Sequence, residues 1–126
     1  MSVKWFIHLN SERNYDFNIV KLNKEIELRF PEVKIEMSDD NNLNYDISWE
    51  YYSDLYQFEF KMDKKRCTFV VYYFNSSNRL NDFAEFILWL RKFFPSDKEV
   101  ILCNESYTDP RSISDSASII DSLKKN

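Results

Sequence analysis

Residues 45–74 alternate between apolar and polar side chains in three successive runs, and this period of two predicts three antiparallel strands. The apolar positions of the first two runs are Tyr45, Ile47, Trp49, Tyr51, Tyr56, Phe58, Phe60 and Met62. Mostly polar residues separate these positions. We therefore expect a sheet with one apolar, buried face and one mostly polar face.

Two turns set the expected register of these strands. A turn at Ser53 and Asp54 pairs Trp49 with Phe58, Tyr51 with Tyr56, Asp46 with Lys61, Ser48 with Glu59 and Glu50 with Gln57. A turn at residues 63–66 pairs Met62 with Cys67, Phe60 with Phe69 and Phe58 with Val71. The outward positions of the third run are Thr68, Val70, Tyr72 and Phe74. Because this set is too apolar for open water, we predict a central strand that is covered at least in part on both sides.

The rest of the chain supplies helices and further strands. Apolar residues at helical spacing predict helices over residues 15–30, 79–94 and 114–125, and Pro31 and Pro95 end the first two. The stripe expected to pack from the last helix is Ile113, Ala117, Ile120 and Leu123. Residues 3–9, 33–37 and 99–103 are predicted as strands. The order β-α-β-β-β-β-α-β-α predicts a single α+β domain over residues 1–126, with a mostly antiparallel sheet of about six strands and three helices.

Composition excludes several kinds of catalytic site. The chain contains no glycine, so phosphate cradles, dinucleotide fingerprints and nucleophile elbows lose the residue on which they depend. The one histidine, His8, lies within an apolar strand and is best interpreted as a satisfied core or edge residue. Glu50 and Glu59 lie near a turn on a strand face that implies no pocket. We therefore predict that the protein is not an enzyme and that it holds no cofactor.

The cysteines and the N-terminus indicate the compartment. Cys67 and Cys103 lie in separate apolar runs without metal-binding spacing, which predicts two reduced, unlinked core residues. The first apolar run is five residues long and is broken by His8, so it is neither a secretory signal nor a membrane span. We expect a cytoplasmic protein without membrane association.

Residues 40–46 carry oxygen side chains at alternate positions, as calcium loops do. The spacing is formed by Asp40, Asn42, Asn44 and Asp46. A calcium loop also needs glycine at its sixth position and glutamate at its twelfth, and Tyr45 and Tyr51 stand there instead. We therefore predict a solvated turn and no metal site.

The formal net charge of −4 is distributed unevenly along the chain. Residues 32–59 contain eight acidic residues and one basic residue, a net charge of −7. Binding of phosphates needs a concentrated basic surface, so this asymmetry argues against a nucleic-acid ligand and favours a cationic partner. The alternative is an acidic surface that serves solubility alone.

A small, acidic, glycine-poor α+β chain with acidic strands interleaved by aromatic residues, here DISWEYYSDLYQFEF, resembles bacterial immunity proteins, including those of contact-dependent growth inhibition systems. The resemblance implies a protein that binds a cognate toxin domain with a basic surface, often a nuclease, and neutralises it by occlusion. A phage-encoded inhibitor of a nucleic-acid-binding host protein would use the same chemistry. A third hypothesis is a ligand-binding or sensory domain with a pocket between the sheet and the helix at residues 79–94.

The predicted partner-binding surface combines charge with aromatic anchors. Its candidate residues are Asp39, Asp40, Asp46, Glu50, Tyr52, Asp54, Glu59 and Trp89. Trp89 falls within the polar stripe of its helix, where it is either covered by another segment or accessible as an anchor. Trp49 is a further anchor if its face is uncovered. We expect the free protein to be a monomer or a weak dimer.

Overall fold

Three helices and a seven-stranded antiparallel sheet make up residues 4–125, the part of the chain that the computed structural model describes. The elements are β1 (Trp5–Leu9), α1 (Ile19–Arg29), β2 (Lys34–Met37), β3 (Tyr45–Tyr52), β4 (Tyr56–Asp63), β5 (Thr68–Ser76), α2 (Arg79–Arg91), β6 (Val100–Asn104), β7 (Arg111–Ser112) and α3 (Ser116–Lys124). The predicted α+β class is confirmed. The predicted strand at residues 3–9 begins at Trp5, and Val3 lies outside the described residues.

The sheet has the strand order β2-β3-β4-β5-β1-β6-β7. β5 is therefore central, as predicted, and β1 lies between β5 and β6. The seventh strand, β7, was not predicted because its two residues are too short to produce a pattern; it pairs with Ile101 and Leu102 of β6.

All three helices contribute to one hydrophobic core with a single face of the sheet. Phe86 of α2 lies over the sheet, with its ring centroid 4.8 Å from that of Phe58 and 5.5 Å from that of Phe60. The core predicted beneath α2 is confirmed: Phe58, Phe60, Phe69 and Val71 are buried, and Tyr56 packs against them half-buried. The opposite face of the sheet carries no helix among the described residues, and we call it the bare face.

The predicted register between β3 and β4 is wrong by two residues. Trp49 lies opposite Phe60, Tyr51 opposite Phe58, and Glu50 opposite Glu59. The cause is local: the Ser53 N–H donates to the Tyr56 carbonyl at 2.9 Å, so Asp54 and Leu55 form the tip of the hairpin. Because side chains alternate with a period of two, this shift changes the partners and leaves Ile47, Trp49 and Tyr51 on their predicted face. A β-bulge between Tyr45 and Ile47 turns Tyr45 to the bare face, which corrects the prediction that Tyr45 faces the core.

The predicted register between β4 and β5 is wrong as well. Met62 pairs with Phe69 and Phe60 with Val71, because the Asp63 carboxylate accepts the N–H groups of Cys67 and Thr68 and so lengthens the turn. A β-bulge then inserts Tyr72 as an extra residue. Beyond the bulge Phe74 pairs with Phe58 and is buried in the core, which corrects the prediction that Phe74 faces outward.

Side-chain caps set the starts of two helices. α1 begins at Ile19 rather than near residue 15, because the Asn18 side chain accepts a hydrogen bond from the Lys21 N–H at 3.0 Å. Asp115 caps α3 in the same way, by accepting from Ser118. α3 packs through Ile119 and Leu123, with Ile113 and Ile120 beside them, whereas Ala117 of the predicted stripe is exposed.

The backbone turns without glycine. In the described part of the chain, positive φ angles between 52° and 75° occur at five residues, Ser11, Glu32, Arg66, Tyr107 and Asp109. Cys67 and Cys103 are both buried and not linked, as predicted. Within residues 4–125, no helix has the length and the apolar run needed to cross a bilayer.

Candidate functional site

The bare face has an acidic end, which the β3–β4 hairpin forms. A row of directly opposed residues crosses the sheet there: Lys34 on β2, Glu50 on β3, Glu59 on β4 and Tyr73 on β5. Residues that oppose each other directly in antiparallel strands point to the same side, so these four side chains share the bare face. We call the group Glu50, Tyr52, Asp54, Leu55, Glu59 and Tyr73 the hairpin patch.

Glu50 and Glu59 place two carboxylates side by side. Like charges directly opposite each other destabilise a strand pair, so this arrangement does not serve folding. Among the described residues neither glutamate forms a salt bridge, because Lys34, the nearest base along the row, bonds to Glu36 at 3.1 Å. The pair therefore leaves negative charge available to a cation from outside.

Aromatic and aliphatic side chains surround this charge. Tyr52 is 59% exposed, Leu55 at the hairpin tip is 72% exposed, and Tyr73 is also exposed. The Tyr52 hydroxyl donates a hydrogen bond to the Glu59 carboxylate, and this bond, with a smaller contribution from burial, raises the pKa of Tyr52 to about 12. Tyr52 thus stays protonated at neutral pH and orients Glu59 across the bare face.

The loop that contains Asp39 and Asp40 lies away from the hairpin tip. It precedes β3, whereas the tip follows β3, so the eight residues of that strand separate them by about 25 Å. Both aspartates are exposed. The Asp40 carboxylate accepts the Asn42 N–H at 2.9 Å, and Lys64 donates to the Asp40 carbonyl at 2.8 Å. These two predicted residues therefore do not join the hairpin patch.

Asp46 has a structural partner. Its two carboxylate oxygens accept hydrogen bonds from the two terminal nitrogens of Arg66, at 2.6 and 3.0 Å. The Asp46 side chain is 14% exposed and that of Arg66 is 18% exposed. The hydrogen bond from Arg66 holds the pKa of Asp46 below its usual value. The predicted pairing of Asp46 with Lys61 is wrong, and its carboxylate is engaged within the fold rather than presented to a partner.

Both candidate tryptophans lie on the helix side of the sheet. Trp89 on α2 is half-buried, with the Phe93 ring 5.1 Å and the Arg29 guanidinium 5.1 Å from its ring centroid. Trp49 is fully buried, and its indole N–H donates to the Asn23 side chain at 2.9 Å. The sheet separates both residues from the hairpin patch. The covered alternative for Trp89 is therefore the one that the structure favours.

Sequence reasoning missed Leu55 and Tyr73 as candidate residues of this surface. Leu55 is an apolar residue at a hairpin tip, where polar residues are usual, and this position was a usable signal. Strict alternation along β5 would put Tyr73 on the buried face, and the bulge at Tyr72 turns it to the bare face instead. Three consecutive aromatic residues at 72–74 interrupt the alternation of β5, and that interruption was the available sign of a bulge.

The other end of the bare face is an apolar depression of about 360 Å³. Its lining residues are Phe6, His8, Tyr45, Thr68, Ile101, Cys103, Tyr107 and Pro110. Tyr107 stacks on Phe6 with a centroid distance of 5.7 Å, and His8 Nδ1 lies 2.7 Å from the Thr68 hydroxyl. His8 is therefore satisfied by a neighbour, as predicted. Burial raises the pKa of the Cys103 thiol, which keeps it protonated and unreactive at neutral pH.

The space between the sheet and α2 is filled with aromatic rings. Phe83 stacks on Phe74 at 4.8 Å, and Phe86 lies 5.3 Å from Phe74. Among the described residues, these rings occupy the space in which the third hypothesis places a ligand pocket, and that hypothesis stays a prediction. Among residues 4–125 no three His, Cys, Asp or Glu side chains converge as a metal site requires.

Comparison of this chain with protein-family models, with curated proteins and with solved structures finds no match.

Proposed function

We propose that this protein is an inhibitor of the immunity type, which binds a basic surface of a cognate protein toxin and blocks it. The observation that carries the proposal is the opposed pair Glu50 and Glu59, set among the exposed side chains of Tyr52, Leu55 and Tyr73. Two like charges held together at a cost to the fold favour a role outside the fold. Exposed tyrosines beside them supply the rigid contact area that tight interfaces use.

Charge and aromatic contacts act at different stages of binding. Carboxylates on an open surface attract a basic partner during diffusion and raise the association rate, most strongly at low salt. Tyrosines bury a large area with few rotatable bonds and so slow dissociation. Where the partner is a nuclease, its basic channel binds phosphates, and the two carboxylates compete for the same cationic side chains. The expected mechanism is therefore occlusion of the channel.

The test compares two pairs of neutral substitutions. Glu50→Gln with Glu59→Gln removes the charge of the hairpin patch, and Asp39→Asn with Asp40→Asn removes equal charge from the loop before β3. The partner to be tested is the product of the adjacent gene, and its association is measured at low and at physiological salt. We expect the first pair to slow association at low salt about tenfold and to flatten its salt dependence. The second pair should have a much smaller effect.

The aromatic contribution has its own matched control. Tyr73→Ala should speed dissociation about tenfold, which corresponds to about 1.4 kcal/mol. Tyr107→Ala alters an exposed tyrosine at the other end of the bare face and should leave dissociation unchanged. If the Glu50 and Glu59 variant associates as fast as the parent at low salt, the hairpin patch serves solubility alone and the proposal is wrong. If a nucleic-acid-binding host protein is captured instead of a toxin, the same surface acts in a phage-type inhibitor.

A further inference from the structure

β2 is an edge strand whose second side has no partner among the described residues. In an antiparallel ladder, alternate residues direct their backbone groups toward the neighbouring strand. The Ser38 N–H donates to the Asp46 carbonyl at 2.8 Å, so Glu36 and Lys34, two and four residues earlier, bond to β3 in the same way. The backbone groups of Ile35 and Met37 therefore point away from the sheet and remain available for hydrogen bonds.

The side chains along β2 are complementary to those along β2 of a second copy of the chain. A second β2 placed antiparallel about a two-fold axis at Ile35 sets Lys34 opposite Glu36 of the other copy, and Glu36 opposite its Lys34. In this register the two charged pairs occupy the non-hydrogen-bonded positions, where opposed side chains are closest. Both side chains are well exposed, and among residues 4–125 each forms its salt bridge with the other, at 3.1 Å. They are therefore able to exchange partners between copies.

Apolar residues lie on the other side of the same edge. The two-fold axis brings Ile35 opposite its own copy and Val33 opposite Met37, whose side chain is 63% exposed. Val20 of α1 is also exposed, at 79%. It lies nine residues before Arg29, which is half a turn around the helix, so Val20 points away from the contact of Arg29 with Trp89 of α2.

The opposite edge of the sheet lacks these properties. β7 has two residues, and its Arg111 forms salt bridges with Asp109 and Asp121. Short edge strands with engaged charges are a common protection against pairing between sheets. If β2 carried Lys34 without Glu36, the lysines of two copies would repel each other. With Glu36 present, each Lys34 lies opposite a glutamate of the other copy, and the charges attract.

We propose that β2 is a homodimer interface, at which two copies of this chain join their sheets antiparallel about a two-fold axis at Ile35. The axis is perpendicular to the sheet, so the bare faces of the two copies lie on the same side of the combined sheet. Each dimer then presents two hairpin patches in one direction. This proposal is independent of the partner that the hairpin patch binds.

The test uses charge exchange at the interface. Lys34→Glu places glutamate opposite glutamate in both charged pairs, and Glu36→Lys places lysine opposite lysine. Sedimentation equilibrium of the full chain should give a mass that rises with concentration from 15.4 kDa toward twice that value for the parent. We expect each single variant to dimerise at least tenfold more weakly. An equimolar mixture of the two variants should recover the parent affinity, because every charged pair is then again of opposite sign.

Three outcomes overturn the proposal. The first is a parent that remains a monomer at every concentration up to about 1 mM, the range in which weak complexes still form. The second is a single variant that dimerises as the parent does, which places the interface elsewhere. The third is a mixture that fails to recover dimerisation, which excludes the register about Ile35. Circular dichroism of each variant checks the fold, and both side chains are exposed enough that no loss of structure is expected.

Discussion

Replacing Asp46 by asparagine should destabilise the fold although the residue belongs to an acidic surface segment. The substitution keeps the size of the side chain and one of its acceptors, but removes its charge. Arg66 is then left with 18% of its side chain exposed and without its carboxylate partner. Hydrogen bonds to charged groups contribute about 1.5 to 3 kcal/mol, and breaking a fully buried ion pair costs about 3 to 5 kcal/mol. With limited solvent access and one acceptor retained, we expect a loss of about 2 kcal/mol.

The pH dependence identifies the cause of this loss. The hydrogen bond from Arg66 lowers the pKa of Asp46 in the folded state below its unfolded value. The stabilisation is therefore fully present above the unfolded pKa of about 3.9 and is lost as the pH falls through the lower, folded pKa. The difference in unfolding free energy between parent and Asp46→Asn should be constant from pH 7 to about pH 5 and should shrink below about pH 4.

Urea denaturation at a series of pH values measures this difference, with Asp39→Asn as the matched control. Asp39 is exposed, so its substitution should change the unfolding free energy by less than about 0.5 kcal/mol. An Asp46→Asn variant as stable as the control would show that the contact with Arg66 contributes nothing to the fold. A loss that stays constant down to about pH 2.5 would show that charge is not its origin.

Two further predictions concern the core and the thiols. Phe60→Ala should cost about 3 to 5 kcal/mol in thermal or chemical unfolding, because Phe60 is fully buried and its ring contacts Trp49, Phe69 and Phe86, and a loss below about 1 kcal/mol would contradict this packing. Adding a reducing agent should leave the melting temperature unchanged because Cys67 and Cys103 are buried and unlinked, whereas a clear drop would reveal a disulfide.

The sequence predicts the faces of the sheet better than its register. Alternation decides which side of a strand a residue occupies, and Phe58, Phe60 and Trp49 are buried as the pattern indicates. Register depends on single hydrogen bonds at the turns, such as those that the Ser53 side chain accepts from Leu55 and Tyr56. When a turn moves by one residue, each side chain stays on the same face of the sheet, but every residue has a different cross-strand partner. For this reason the opposition of Glu50 and Glu59 was not predicted.

The predicted binding residues do not form one continuous surface, because residues that are close in the sequence can lie far apart in the fold. The charge count over residues 32–59 includes the hairpin tip, the loop with Asp39 and Asp40, and Asp46, and folding separates these positions. The contact of Asp46 with Arg66 joins residues 20 positions apart, and no local pattern announces it. The prediction for Trp89 rests on the helical wheel of its own helix. Its exposure depends instead on how α1 packs against α2 through Arg29.

The absence of glycine has a consequence for the unfolded chain. At an average content of about 7%, a chain of this length would contain about nine glycines. Through its conformational entropy, each glycine would stabilise the unfolded state by about 0.4 to 1 kcal/mol. The five residues with positive φ, among them Glu32 after α1, each cost about 1 to 2 kcal/mol in the folded state. The two effects are similar in size and opposite in sign. The free-energy cost of the strained turns is thus offset, because a chain without glycine has fewer conformations in the unfolded state. The lower entropy of the unfolded chain therefore allows other residues to occupy turn positions that glycine usually takes.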